Sequence, residues 1–162
     1  MRLISHRGNI NGRKPELENQ PSYVQSAIYE GYDVEIDLWY KDGLFFLGHD
    51  EPQHEISLKW LTSRHMVLWI HCKNLETIEE LKNLEEELGL VKLNYFFHQK
   101  DDVTITSQGN LWAYPGKQPL KHSVAVQPEW YDDDVTECWG ICSDNIEKYI
   151  KDGFKKRNTS II

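Results

Sequence analysis

The sequence predicts an α/β fold, a compact TIM-type (β/α)8-like barrel whose outer ring of helices is reduced in the second half. Apolar strands alternate with helices through the first hundred residues, which is typical of parallel βαβ units. Polar side chains follow most of the predicted strands, as they do at the C-terminal rim of such barrels. The 162 residues suffice for one domain, 1–162, but fall short of the ~200–250 residues of a full barrel.

The first βαβ unit is predicted within the first forty residues. Residues 2–5 are apolar and indicate a strand that ends at a polar loop. Pro21 is a favourable first residue for the following helix, and Gly31 ends it. The next strand begins at Asp33, and the turn at Asp42 predicts a hairpin with a second strand over 44–47.

Further elements follow from capping residues and apolar runs. Ser57 predicts the N-cap of a short helix through Leu61, and the run 66–72 predicts a buried strand. Asn74 and Gly89 bound the clearest amphipathic helix in the chain, with leucines and one isoleucine at helical spacing. A strand over 93–97 follows it.

Beyond residue 100 the helical spacing disappears. Four short strands are predicted over 103–106, 111–114, 124–127 and 139–142, then a helix through Ile150 and a fraying stretch 154–162. The strand backs in this half must be covered either by long loops or by a partner subunit. A homo-oligomer is therefore one of two expectations.

Composition excludes several classes of function. The formal charge is −8 and the pI is about 5.3, which gives no electrostatic basis for binding nucleic acid. No apolar run reaches the ~18 residues that indicate a membrane span. The three cysteines form no paired motif, so reduced thiols in a cytoplasmic protein are expected.

Glu35 and Asp37 are the most informative pair of residues. They lie two apart in an apolar run, so both side chains project from the same face of the strand. Burying two carboxylates is costly unless they have a partner, and a divalent cation is the usual one. Oxygen ligands favour Mg²⁺ or Ca²⁺.

Other polar residues are expected to gather at the same strand ends. The set supplies histidines for proton transfer and cations that hold a phosphoryl group. A metal, two proton-transfer groups and phosphate contacts together indicate phosphodiester cleavage. The residues that follow the predicted strands are His6, Arg7, Glu35, Asp37, His49, His71, Lys73, His98, Gln127, Glu129 and Asp144.

Five linked motifs resemble the glycerophosphodiester phosphodiesterase family, within the phospholipase-C-like phosphodiesterase superfamily. They are His6-Arg7-Gly8, Glu18-Asn19, Glu35-Ile36-Asp37, Lys41-Asp42-Gly43 and His49-Asp50. The resemblance implies a small-molecule phosphodiester substrate, with His6 and His49 as the catalytic acid/base pair. It further implies that Glu35 and Asp37 bind the divalent metal, that Arg7 contacts phosphate, and that Glu18 supports the site.

The resemblance is incomplete at the third barrel strand. The family's Glu-x-Lys appears here as His71 and Lys73. We expect His71 to take the ligand position, which shifts the metal preference toward Mn²⁺ or Zn²⁺, and Glu129 or another acid to supply the missing carboxylate. The insertion that shapes the glycerol pocket in many members is reduced to a few residues.

Two other functions remain open at this stage. A related barrel without hydrolysis would serve as a phosphate-ligand binding or regulatory module, which His71 and the missing insertion motivate. A metal-dependent sugar isomerase or aldolase-type barrel would abstract a proton from carbon and would not need both His6 and His49.

Overall fold

The computed structural model describes residues 1–89 and 92–156, except for the side chains of Leu88 and Lys151. Residues 157–162, most of the stretch expected to fray, lie outside this description. The strands in the described part are β1 Arg2–His6, β2 Asp33–Lys41, β3 Leu44–Leu47, β4 His54–Ile56, β5 Leu68–Cys72, β6 Tyr95–Phe96, β7 Val103–Ile105, β8 Leu111–Ala113, β9 Ser123–Val126 and β10 Gly140–Ser143. The α-helices are α1 Pro21–Tyr29, α2 Leu58–Thr62, α3 Leu75–Leu88 and α4 Ile146–Lys151, and Pro128–Trp130 forms a 3₁₀ turn.

All these strands belong to one mixed, curved sheet that forms an open half-barrel. The parallel strands run in the order β6-β5-β2-β1-β10-β9-β8. At one end of the sheet β7 pairs antiparallel with β8. The hairpin strands β3 and β4 extend the C-terminal half of β2 in antiparallel pairing.

The predicted (β/α)8-like barrel is wrong, because the sheet is neither closed nor ringed by helices. In the described part of the chain no strand pairing joins β6 to β7. Strands β7, β8 and β9 have only three or four residues and are linked without helices, and the β7–β8 hairpin breaks the parallel repeat. The sheet nevertheless curves strongly, since the rings of Phe96 on β6 and Trp112 on β8 lie 4.6 Å apart.

Most predicted elements are confirmed, and two details differ. The Ser57 side chain accepts a hydrogen bond from the Trp60 backbone N–H and caps α2, and Gly89 ends α3 in the left-handed conformation. Strand β4 was not predicted, because it is short and forms only by pairing with β3. Leu75, expected on the buried face of α3, is 67% exposed at the first helical position.

The two faces of the sheet carry separate apolar clusters. Helices α1 and α3 pack on the outer face, where Val24, Ile36 and Leu81 belong to one buried cluster. The inner face is filled by a smaller cluster that includes Ile4, Trp69, Phe96 and Trp112. Side chains alternate between these faces along each strand, so the inner face also receives His6, Glu35, Asp37 and His71.

None of the helices within residues 1–89 and 92–156 combines the length and the hydropathy that crossing a bilayer requires.

Candidate metal centre and its flanking histidines

Three neighbouring parallel strands position the candidate site at their C-terminal ends. The register of β1 and β2 sets His6 beside Glu35, and that of β2 and β5 sets Asp37 beside His71. Because parallel strands end at the same edge of a sheet, the four side chains emerge together on the inner face.

Glu35, Asp37 and His71 form a group that could hold a metal ion. One ligand atom from each residue lies within 4.8 Å of the others. The two carboxylates are buried and the imidazole is partly buried. Mixed oxygen and nitrogen ligands suit Mn²⁺ and Zn²⁺ as well as Mg²⁺.

Asp37 is surrounded by donors. Its Oδ2 lies 2.8 Å from Arg7 Nε, and this ion pair is not aligned as a hydrogen bond. The same oxygen accepts a 2.9 Å hydrogen bond from Asn19 Nδ2. Its Oδ1 lies 3.1 Å from His71 Nδ1 and 3.3 Å from Lys73 Nζ. Burial alone would raise the pKa of Asp37, but the His71 hydrogen bond and the two cations hold it well below its usual range.

Glu35 is in the opposite situation. It is 2% exposed, and its Oε2 has no hydrogen-bond partner; His6 Nε2 lies 3.8 Å away. Burial, followed by the charge of Asp37, raises the pKa of Glu35. A buried carboxylate oxygen without a partner suits a cation-binding site, because a bound ion would compensate both the cost of burial and the neighbouring charge.

His6 is held by groups from the far end of the chain. Its Nδ1 lies 2.8 Å from Asp144 Oδ1, after β10, and 3.0 Å from Gln127 Nε2, after β9. An ionised carboxylate only accepts, so we assign the Nδ1 proton to the bond with Asp144, and Gln127 Nε2, itself a donor, then only contacts Nδ1. The other ring nitrogen, Nε2, lies on the side of Glu35. Burial lowers the pKa of His6, but the bond to Asp144 and the charge of Glu35 bring it above its usual value.

Arg7 has a left-handed backbone conformation, with φ of 55°, directly after β1. Its Nη1 donates a 3.1 Å hydrogen bond to Glu18 Oε2, while its Nε faces Asp37. Glu18 also accepts from Asn9 and Arg13 at 3.0 Å each. The loop that was predicted to be polar therefore carries a buried network that fixes the Arg7 guanidinium beside the two carboxylates.

His49 follows the β2–β3 hairpin, as the sequence predicted. The preceding Gly48 donates its N–H to the Asp37 carbonyl at 3.2 Å, and its own carbonyl accepts from Trp39 Nε1 at 2.7 Å. The His49 side chain is 42% exposed and pairs with Asp50. Burial and the charge of Arg7 lower the pKa of His49.

The structure does not bring Glu129 into this group. One Glu129 oxygen accepts a hydrogen bond from the Ser143 hydroxyl, and the other accepts a 3.0 Å bond from the Tyr149 hydroxyl. Both of its oxygens are therefore engaged by residues on β10 and α4. Glu129 therefore supplies no ligand to the group of Glu35, Asp37 and His71.

Several residues that complete the site had no role predicted from the sequence. Asp144 and Gln127 were noted as strand-end residues, but no spacing reveals that they contact an imidazole more than 120 positions away. Asn9 donates to both Glu18 and Asp144 and so links the two sides of the site. The signal for Asn19 was its place beside Glu18 in the recognised motif.

Comparisons with family models, curated proteins and solved structures yielded no match.

Proposed function

We propose that this protein is a metal-dependent phosphodiester hydrolase, similar to the glycerophosphodiester phosphodiesterases, that acts on a small glycerophosphodiester-like substrate. The observation that carries the proposal is the partnerless Oε2 of buried Glu35, beside Asp37 and His71 and facing His6. Such an arrangement needs a cation, and a proton-transfer group stands next to the place that the cation would take.

Glu35, Asp37 and His71 would hold the ion. When bound, the ion supplies positive charge that stabilises the phosphoryl oxygens as negative charge builds up on them. Arg7 and Lys73 contribute further positive charge, and each has donors beyond those used by Asp37. The guanidinium is fixed by Glu18, so it needs little reorganisation to meet a phosphate oxygen.

The two histidines would move the protons of the displacement. One takes the proton of the attacking oxygen as that oxygen bonds to phosphorus; this oxygen belongs to a neighbouring substrate hydroxyl or, in a diester that has none, to water. The other donates a proton to the departing alcohol oxygen as its bond to phosphorus breaks. When a substrate hydroxyl attacks, the products are a cyclic phosphate and a free alcohol. Water then opens the cyclic phosphate, with the two histidines in exchanged roles, and leaves a phosphomonoester.

Asp144 is a positioning residue in this scheme. It holds Nδ1 of His6, which fixes the ring and the tautomer and leaves Nε2 to exchange protons with the substrate.

The test is hydrolysis of bis(p-nitrophenyl) phosphate by the whole chain, with and without Mg²⁺, Ca²⁺ or Mn²⁺. The wild type is expected to release p-nitrophenol only with metal, and His6→Ala is expected to lower the rate by about 10²-fold or more. His122→Ala is the matched control, because His122 lies in the loop before β9 and is expected to keep the full rate. Equal rates for wild type and His6→Ala would contradict the proposal.

A second candidate, a phosphate-binding module without hydrolysis, is favoured by one observation. Asp37 already faces Arg7 and Lys73, so its charge is balanced without an ion. Phosphate binding by the wild type without turnover of either this diester or a glycerophosphodiester would favour the module over the hydrolase.

A further inference from the structure

Two buried polar atoms on the wall opposite β1 and β2 have no hydrogen-bond partner. They are Nδ1 of His98, which follows β6, and the hydroxyl of Tyr114, which follows β8. Burying a polar atom without a hydrogen-bond partner costs about 1–3 kcal/mol, so two such atoms side by side call for an explanation. Each follows the C-terminal end of its strand, at the same edge as the candidate metal centre.

The two side chains form one unit. The rings of His98 and Tyr114 are stacked, with centroids 3.6 Å apart and planes tilted by 23°. The pair closes the gap between the two ends of the sheet, where no strand pairing is present among the described residues. Neither residue belongs to the motifs that indicated a phosphodiesterase.

This unit faces the metal centre. The rings of His98 and His71 lie 5.4 Å apart. Burial, and after it the charge of Glu35, raises the pKa of the Tyr114 phenol, so the hydroxyl keeps its proton at pH 7. Tyr114 also packs against the inner apolar cluster of the half-barrel.

The chemistry of the pair differs from that of the opposite wall. Arg7 and Lys73 provide the positive charges that suit a phosphate, whereas a phenol is neutral at pH 7 and both donates and accepts. An imidazole nitrogen and a phenol side by side suit hydroxyl groups of a substrate better than its phosphate oxygens.

We propose that His98 and Tyr114 form a subsite for the hydroxyl-bearing alcohol of the substrate, and thereby select phosphodiesters of small polyols. This inference rests on the proposed function.

The experiment measures binding, so that it does not depend on turnover. Isothermal titration compares sn-glycerol 3-phosphate with methyl phosphate, which lacks the hydroxyls, in the presence of Mg²⁺. The wild type is expected to bind glycerol 3-phosphate more tightly. Tyr114→Phe is expected to weaken that ligand about fivefold, the value of one hydrogen bond, and to leave methyl phosphate unchanged. His98→Phe, which keeps the stacked ring, is expected to act in the same direction.

Tyr149→Phe is the matched control, because its hydroxyl has a partner, Glu129, outside the site. It is expected to lose thermal stability without changing the ratio of the two affinities, whereas Tyr114→Phe is expected to lose no stability. Equal affinities in the wild type, no binding of either ligand, or an equal effect of Tyr114→Phe on both would overturn the subsite.

Turnover of bis(p-nitrophenyl) phosphate separates this inference from the proposed function. That diester carries no hydroxyl groups, so its hydrolysis by the wild type tests the hydrolase without testing the subsite. A wild type that prefers glycerol 3-phosphate but hydrolyses no diester would contradict the hydrolase and support the subsite.

Discussion

Glu35 and Asp37 are two residues apart on one strand, yet their surroundings differ in kind. Asp37 is met by Arg7, Asn19, His71 and Lys73, whereas one Glu35 oxygen has no hydrogen-bond partner. The neighbours therefore lower the pKa of one carboxyl and raise that of the other. Of the two carboxylates, Glu35 therefore gains more from the cation that we propose.

At the same scale, His98 makes stability depend on pH. Burial, and after it the charge of His71, lowers the pKa of His98 from 6.5 to about 4. The unfolded chain therefore takes up this proton at a higher pH than the folded chain does. Stability from this group is fully present above pH 6.5 and is lost as the pH falls toward 4.

Thermal melts from pH 7.5 to 4.5, with a chelator present, check this prediction. The wild type is expected to lose more stability over this range than His98→Phe, because the variant has no proton to gain at that position. Parallel curves for the two proteins would show that His98 titrates normally in the folded state.

At the scale of elements, the β2–β3 hairpin and the turn after it place His49. Asp42 and Gly43 have φ of 52° and 81°, as a two-residue hairpin turn requires. Gly48 has φ of 155°, and a Cβ built there would lie 2.1 Å from the Glu51 carbonyl oxygen. The backbone before His49 thus has no room for a side chain.

Gly48→Ala is expected to destabilise the fold by about 3 kcal/mol or more and to lower hydrolysis, because the loop must shift and carry His49 with it. Gly109→Ala is the matched control: its φ is 80°, but a Cβ there meets nothing within 4 Å. It is expected to cost only about 1 kcal/mol of backbone strain and no activity. Urea unfolding and an activity assay measure both effects, and equal losses in the two variants would contradict the steric explanation.

The helices of the first half could be predicted because the residues that begin and end them act within one turn, and the packing of the fold agrees with those boundaries. Pro21 starts α1, Ser57 caps α2 and Gly89 ends α3, each for reasons contained within one turn of helix. Strand β4 was missed because it depends on a pairing partner and not on its own pattern.

At the scale of the whole molecule, the features that could not be predicted from the sequence are the closure of the barrel and the contacts between distant strands. Closure of a barrel depends on whether its last strands pair, and among the described residues β6 and β7 do not. The contacts of Asp144 and Gln127 with His6 likewise follow from the pairing of β1 with β10 and of β10 with β9. Neither pairing leaves a signal at short range in the sequence.

A prediction for the whole fold concerns metal-linked stability. A cation that binds only the folded state raises the free energy of unfolding by about 2.7 kcal/mol when its free concentration is about a hundred times its dissociation constant. Glu35→Gln is expected to melt higher than the wild type without metal, because it removes a buried and uncompensated charge, and to gain nothing from added Mn²⁺ or Mg²⁺.

Scanning calorimetry with and without each metal measures both effects. Glu55→Gln, an exposed glutamate on β4, serves as the matched control and is expected to behave like the wild type. A metal-induced rise that persists in Glu35→Gln would mean that the ion binds elsewhere.

The most direct measurement follows a glycerophosphodiester by ³¹P NMR with wild type and His6→Ala, in Mg²⁺, in Mn²⁺ and in chelator. With the wild type and metal, we expect the diester signal to be replaced by that of a phosphomonoester, and with His6→Ala or chelator to persist. A diester that survives wild type in every metal, or disappears equally fast with His6→Ala, would contradict hydrolysis by a cation and a histidine at this site.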